Sequence, residues 1–272
     1  MSNVWVHFNE LDNHNVRFID VRFSLTDQEE GRRLYEESHL IGSIFMDLEK
    51  DLSNMESKDG RHPMPSKNKL KMFFENHGLQ FSDTIVIYDQ GGMPFGPRAY
   101  WIFKYAGFPK VFILREGFNQ LKEMNVAISK DIPEFAKSNL DLKWNEEIFA
   151  HKELVKSISE KSIKGVLLDA RSKERYEGRN EPIDFVAGHI PTARNFDWEQ
   201  LKENGQFKLA KDIEKSLENV ASKDEEITVY CGSGVTAAPL YAMLKEIGYE
   251  HVRLYVGSYS DWITSYPVDQ LK

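Results

Sequence analysis

Residues 227–248 read ITVYCGSGVTAAPLYAMLKEIG, and the order of their parts decides how the rest of the chain is understood. Ile227, Thr228, Val229 and Tyr230 are β-branched, apolar or aromatic and predict a short buried strand. Cys231, the sole cysteine among 272 residues, follows at once. Gly232, Ser233 and Gly234 make a loop of small residues. From Pro239 onward, Leu240, Met243, Leu244 and Ile247 fall at helical spacing, and Gly248 supplies a stop. Strand, cysteine loop and helix in that order aim backbone N–H groups and the positive end of a helix at one sulfur. Surroundings of that kind lower a thiol pKa from ~8.5 to roughly 3.5–7.5. A cysteine that is only a small core residue needs no such loop, whereas a loop that wraps an anion does.

Self-similarity extends the reading to the whole chain. Val16–Arg22 (VRFIDVR) resembles Val166–Arg171 (VLLDAR), each an apolar strand ending in Asp-x-Arg. His39–Asp47 resembles His189–Asp197, Ile85–Tyr88 (IVIY) resembles Ile227–Tyr230 (ITVY), and Val111–Leu114 matches Val252–Tyr255. The helical stripe of Ala99, Ile102, Phe103 and Ala106 before Gly107 repeats the one before Gly248. Ordered matches at offsets of about 140 to 150 residues imply a duplicated domain. Strands that alternate with helices pair in parallel, so the expected class is α/β: two tandem domains, each a mainly parallel sheet flanked by helices. The boundaries fall at 1–125 and 146–272. The aperiodic run 126–145, with Pro133, reads as a surface linker in which Glu134–Lys137 could form a short helix.

The copies differ at one decisive place. Tyr88 is followed by Asp89 where Tyr230 is followed by Cys231. A carboxylate cannot replace a sulfur nucleophile, so thiol chemistry is confined to the second half, and Gly91-Gly92-Met93-Pro94 is expected to be structural.

Composition excludes several classes of function. Apolar residues are 41% of the chain and aromatics 12%, enough for real cores, while the net charge of −8 is the wrong sign for a nucleic-acid or membrane-surface binder. No apolar run approaches the ~18 residues of a membrane span. The first thirteen residues, MSNVWVHFNELDN, have neither a basic nor an apolar leader region, so no secretory signal is expected. One cysteine can form neither an internal disulfide nor a structural zinc site. A reducing cytoplasm is the expected compartment.

Taken together, the tandem halves, the paired Asp-x-Arg endings, Gly188-His189-Ile190-Pro191 and Cys231-Gly232-Ser233-Gly234-Val235-Thr236-Ala237 resemble the two-domain rhodanese family, and within it the 3-mercaptopyruvate sulfurtransferase branch. The resemblance covers nearly the whole chain and implies transfer of one sulfur atom through a persulfide on Cys231. The Cys231 thiolate would attack the donor sulfur, with pyruvate enolate leaving. The amides from Gly232 through Gly234 and Val235 to Ala237, with the hydroxyls of Ser233 and Thr236, would hold the persulfide anion. No metal or organic cofactor is implied.

The remaining site residues follow from the same resemblance. Arg175 stands at the position the family uses for the donor carboxylate, and an arginine can bind that group bidentately. The branch's second arginine, after a Glu-Pro pair, is absent here, since Glu181-Pro182 is followed by Ile183-Asp184; Arg179 is the nearby candidate substitute. A serine–histidine–acid relay is expected from Ser233, His62 and Glu49, the last standing where the family often has Asp. Arg171 is expected to pair with Asp169 or Asp20, His189 to be structural because His39 repeats it, and Trp262 to be core. Ala238 replaces a frequent second cysteine, so oxidation of Cys231 should stop at sulfenic acid or an external mixed disulfide.

Charge bears on the donor. Thiosulfate is a dianion, and the thiosulfate branch carries cationic side chains directly after its cysteine, where this chain has Gly232 and Ser233. The neutral loop favours mercaptopyruvate, with thiosulfate sulfurtransferase activity the alternative. The acceptor would be thioredoxin, a small thiol or cyanide. A cysteine phosphatase shares strand, loop and helix but needs an arginine six residues after the cysteine, and that residue is Ala237. A non-catalytic sulfur-relay or binding module is a further alternative, and the sulfur, glycines and hydroxyls retained in the second half speak against decay of catalysis there.

Overall fold

The computed structural model describes residues 4–12 and 15–271. The first three residues read for a leader, with residues 13, 14 and 272, lie outside the described residues. Two compact units are present: Met1–Asn54 with Pro65–Asn145, and Met55–Met64 with Glu146–Lys272.

In the first unit, strands β1 (Trp5–Val6), β2 (Val16–Asp20), β3 (His39–Leu40), β4 (Ile44–Phe45), β5 (Thr84–Tyr88), β6 (Val111–Leu114) and β7 (Ile128–Ser129) are interspersed with helices α1 (Glu30–Glu37), α2 (Lys67–Asn76), α3 (Phe95–Tyr105) and α4 (Phe118–Glu123). Five strands form one sheet in the order β1-β6-β5-β2-β4, with every neighbouring pair parallel. Ile85, Val86, Ile87 and Tyr88 are all buried, because helices cover both faces of such a sheet and leave no solvent side for polar residues to alternate into.

The second unit repeats the plan with β8 (Val166–Asp169), β9 (Arg194–Asn195), β10 (Lys202–Glu203), β11 (Gln206–Phe207), β12 (Ile227–Tyr230) and β13 (Val252–Leu254), and with α5 (Lys152–Ser159), α6 (Lys173–Tyr176), α7 (Ala210–Glu218), α8 (Ala238–Glu246) and α9 (Ser258–Trp262). Its sheet runs β13-β12-β8-β9, again all parallel, and β10 and β11 form a separate antiparallel hairpin. The strand order reverses between β8 and β12. The crevice beyond the carboxyl ends of strands at such a reversal is where open α/β sheets bind ligands, and Cys231 is the first residue past β12.

The Asp-x-Arg strand endings have a common purpose. Asp20 takes the Arg22 guanidinium and Asp169 that of Arg171, all four side chains buried, and each arginine also donates to a main-chain carbonyl, of Ser38 and Gly188 respectively. A buried carboxylate needs such a partner. His39 stacks on Tyr35 and His189 on Tyr176, each with ring centroids 4.0 Å apart and each bonded through Nδ1 to the tyrosine carbonyl at 2.7 Å. Trp262 lies in the core of the second unit with Tyr230 and Tyr259.

Two segments differ from the sequence reading. Residues 126–145, expected as a surface linker between the domains, belong to the first unit and form a strap on it. Ile128 and Ser129 pair with Leu40 and His39, the amides of Ser138 and Leu140 bond to Glu75, and Trp144 packs against Tyr105. No helix forms over residues 134–137. Phe135, Leu140 and Trp144 bind at irregular spacing, which leaves no period to read. Residues 55–64, assigned by sequence to the first domain, belong to the second unit. Among the described residues no helix is long and apolar enough to cross a membrane.

Candidate active site

The loop after β12 is shaped by the start of α9. The carbonyls of Cys231 and Gly232 accept from the amides of Tyr259 (2.9 Å) and Ser260 (3.0 Å), while the Cys231 amide donates to Ser258 Oγ at 3.1 Å. With its carbonyls held on that side, the loop turns its next amides inward. Ser233 N and Gly234 N donate to Cys231 Sγ at 3.4 and 3.1 Å, around a side chain only 1% exposed. Gly234 sits at φ +75°, and a Cβ there would overlap the Val256 carbonyl. Val235 is buried, and its carbonyl accepts from the Ala238 amide as α8 begins.

The cradle is narrower than the sequence implies. Within the described residues two loop amides meet Sγ, and the Thr236 hydroxyl does not. The Ser258 hydroxyl lies 4.0 Å from Sγ, and its bond to the Tyr255 carbonyl, at 2.8 Å, is the shorter. Ser258 lies 27 residues beyond the cysteine, at φ +56°, and nothing in its local sequence singled it out.

Ser233 is joined to His62, whose Nδ1 lies 3.0 Å from Ser233 Oγ. The segment carrying His62 is anchored beside it, since Arg61 N donates to Ser260 Oγ at 3.1 Å and Gly60, at φ +103°, lies close against Gly257. Glu49 is in the first unit, half-buried, with its amide on Asp47 Oδ1 at 2.9 Å.

Arginines surround the loop in an arrangement the sequence did not reveal. A Cβ on Gly232 would stand 3.3 Å from Arg175 Nη2 and 3.5 Å from Nη1, and would collide with Arg61 Nη2. Arg175 is held by Glu181 through Nε (3.0 and 3.1 Å) and Nη2 (2.9 Å), and by Asp184 through Nη2 (3.0 Å). Asp184 also pairs with Arg61, and Glu181 with Arg171 at 3.1 Å. Burial pushes Glu181 up, yet Arg175 and the amides of Asp184 and Ile183 outweigh it and hold that carboxyl below its ordinary value. Burial raises Asp184, against the pull of Arg61. Arg179, the expected substitute for a missing arginine, is 59% exposed and paired with Glu177. The second guanidinium at the loop is therefore Arg61, which reaches it from a segment over 100 residues away in sequence.

Comparison with known proteins bears directly on this geometry. The Rhodanese-like domain matches residues 7–124 and again residues 150–265. The chain belongs to the rhodanese family. A Pseudomonas aeruginosa protein named a probable 3-mercaptopyruvate sulfurtransferase is 32% identical over 261 residues, covering 93% of this chain and 91% of its own. A Mycobacterium tuberculosis protein provisionally named thiosulfate sulfurtransferase SseB is 34% identical over 252 residues, covering 91% and 87%. Among solved structures, the 3-mercaptopyruvate sulfurtransferase SseA of Escherichia coli superposes with a TM-score of 0.78 at 26% identity, covering 91% of this chain and 94% of that one.

In this rhodanese the first repeat keeps the loop and changes its content. Asp89 stands in the cysteine's place with its carboxylate bound by the amides of Gly91 (2.7 Å) and Gly96 (2.9 Å). Burial outweighs those bonds and pushes Asp89 up to about 6. The Asp89 carbonyl accepts from Phe118 N at 3.0 Å, as that of Cys231 does from Tyr259 N.

Proposed function

We propose that the chain is a sulfurtransferase that takes a sulfane sulfur from 3-mercaptopyruvate onto Cys231 and passes it to a thiol or to cyanide. The observation that carries this reading is the placement of Ser233 N and Gly234 N on Cys231 Sγ. Two main-chain donors at that atom stabilise a thiolate before the reaction and a persulfide after it. Sγ attacks the donor sulfur, an S–S bond forms as the donor C–S bond breaks, and the electron pair leaves on pyruvate enolate, which then takes a proton. The contact of His62 Nδ1 with Ser233 Oγ at 3.0 Å supports that pair as the carrier of the proton, and Glu49 enters the relay on the strength of the family resemblance alone. Arg175 orients the donor carboxylate. Asp89, in the cysteine slot of the first repeat, offers no sulfur nucleophile, so the persulfide forms on Cys231 alone. A cytoplasmic location and an acceptor such as thioredoxin accord with a lone, reducible thiol.

The test is intact-mass spectrometry after incubation with 3-mercaptopyruvate. The wild-type protein should gain one sulfur, lost again on adding cyanide, and Cys231→Ser should gain none. A wild-type mass that does not change would refute the assignment. Thiosulfate is the second donor to assay, because the SseB relative is named for it.

A further inference from the structure

The loop carries no cationic side chain, yet two guanidiniums lie against Gly232, so the charge absent from the loop sequence is present in space. It is also cancelled there. Arg171, Arg175 and Arg61 are matched by Asp169, Glu181 and Asp184, three positive groups against three negative. Asp184 bridges the two arginines nearest the cysteine loop, Oδ1 to Arg61 and Oδ2 to Arg175. Its delivery is built into the fold. Glu181 Oε1 accepts from the amides of both Ile183 and Asp184 at 3.1 Å, which folds the turn, and Asp184 points inward at 4% exposure between Ile183 at 59% and Phe185 at 78%.

We propose that Asp184 is a donor-specificity residue: by bridging Arg61 and Arg175 it removes the net positive charge at the mouth of the site, which then takes a singly charged α-keto carboxylate in preference to dianionic thiosulfate. The guanidinium edges facing Gly232 still offer directional N–H groups to one carboxylate. The second negative charge of thiosulfate meets no surplus cation. Arg61 is the other half of the device, and the inference rests on Cys231 being the sulfur-accepting nucleophile.

The experiment compares kcat/KM for thiosulfate and 3-mercaptopyruvate, with cyanide as the common acceptor, in wild type, Asp184→Asn, Arg61→Gln and the double variant. One unit charge acting on the extra charge of thiosulfate near the surface corresponds to roughly a tenfold change in the ratio of the two donors. Asp184→Asn should raise the thiosulfate-to-mercaptopyruvate ratio about tenfold, Arg61→Gln should lower it, and the double variant should return close to wild type. Structural damage alone would not give opposite signs that cancel. Should Asp184→Asn fail to fold, Arg61→Gln carries the test, its side chain being 31% exposed. Ratios within about twofold of wild type, or moved the same way by both substitutions while persulfide still forms, overturn the role of Asp184 alone. A wild-type protein that forms persulfide with neither donor overturns the function and this inference together.

Discussion

Replacing Gly234 by alanine separates what its backbone conformation costs from what its close packing costs, because Gly248 provides a matched control. Both glycines have left-handed backbones, at φ +75° and +89°. A Cβ on Gly248 would meet nothing within 4 Å, whereas on Gly234 it would overlap the Val256 carbonyl and stand 2.9 Å from Val256 C and Cα. The left-handed region costs an alanine roughly 1–2 kcal/mol, offset by about 0.4–1 kcal/mol from a less flexible unfolded chain. Gly248→Ala should therefore cost about 1 kcal/mol. Gly234→Ala adds the overlap with buried backbone, typically 1–3 kcal/mol in packed interiors, for a total of about 2–4 kcal/mol.

The functional difference should be larger than the difference in stability. Relief of the overlap must move the Gly234 amide, which is 3.1 Å from Sγ. Loss of one positioned donor to a developing anion costs on the order of 10²–10³ in rate. Amide exchange in peptides covering Ile227–Tyr230 reports the stability of the second unit, and single-turnover persulfide formation from mercaptopyruvate reports the cradle. Gly234→Ala should slow persulfide formation about a hundredfold or more, and Gly248→Ala less than about twofold. Equal stability losses, with persulfide formation unimpaired in Gly234→Ala, would show that the loop amides do not hold the sulfur anion.

The other two predictions concern charge. Arg175→Ala removes one of the two arginine partners of each of two nearly buried carboxylates, Glu181 and Asp184, and should destabilise the protein by about 1.5–3 kcal/mol as well as raise KM for mercaptopyruvate; Arg179→Ala, at an exposed pair, should stay within about 0.5 kcal/mol and twofold in kcat/KM, and parallel urea denaturation and donor kinetics that found them equally damaging would contradict the placement of Arg175. Asp89 keeps its proton to about pH 6 when folded, against 3.8 for an ordinary aspartate, so its stabilising contribution is complete below about pH 4 and is lost as the pH rises through 6. That loss amounts to about 3 kcal/mol from the pKa difference, and Asp89→Asn should abolish that component of the slope in amide exchange over Thr84–Tyr88. An unchanged pH profile would mean that the carboxyl titrates normally.

Legibility in the sequence followed how local each interaction is. The duplication was readable because an Asp-x-Arg pair closes on itself within three residues, Asp20 with Arg22 and Asp169 with Arg171, so that one short string encodes the whole contact. The cysteine loop was readable for the same reason, since Ser233 and Gly234 supply its donors from two and three positions away. Ser258 and Arg61 were not, because they reach the loop from 27 residues downstream and about 170 upstream, and an isolated serine or arginine carries no mark of what it will touch. His62 was found only through resemblance. Arg179 was favoured by proximity in sequence, but proximity in a loop says nothing of direction, and the chain there turns Arg179 to solvent and Asp184 inward.

Comparison of the two repeats shows what the loop itself specifies. In both, the amide two residues past the key side chain donates to it, Gly91 to Asp89 and Ser233 to Cys231, and in both a main-chain amide from the second helix after it, Phe118 of α4 or Tyr259 of α9, fixes the key residue's carbonyl. The backbone frame is thus a receptor for an anionic side chain, indifferent to whether oxygen or sulfur carries the charge. Divergence of function then needed little more than the identity of one residue and what surrounds the mouth. In the first repeat a carboxylate fills its own cradle. In the second the same frame leaves a polarisable atom that can add another sulfur and remain an anion, and the arginine–carboxylate cluster over Gly232 is placed to choose what brings that sulfur in.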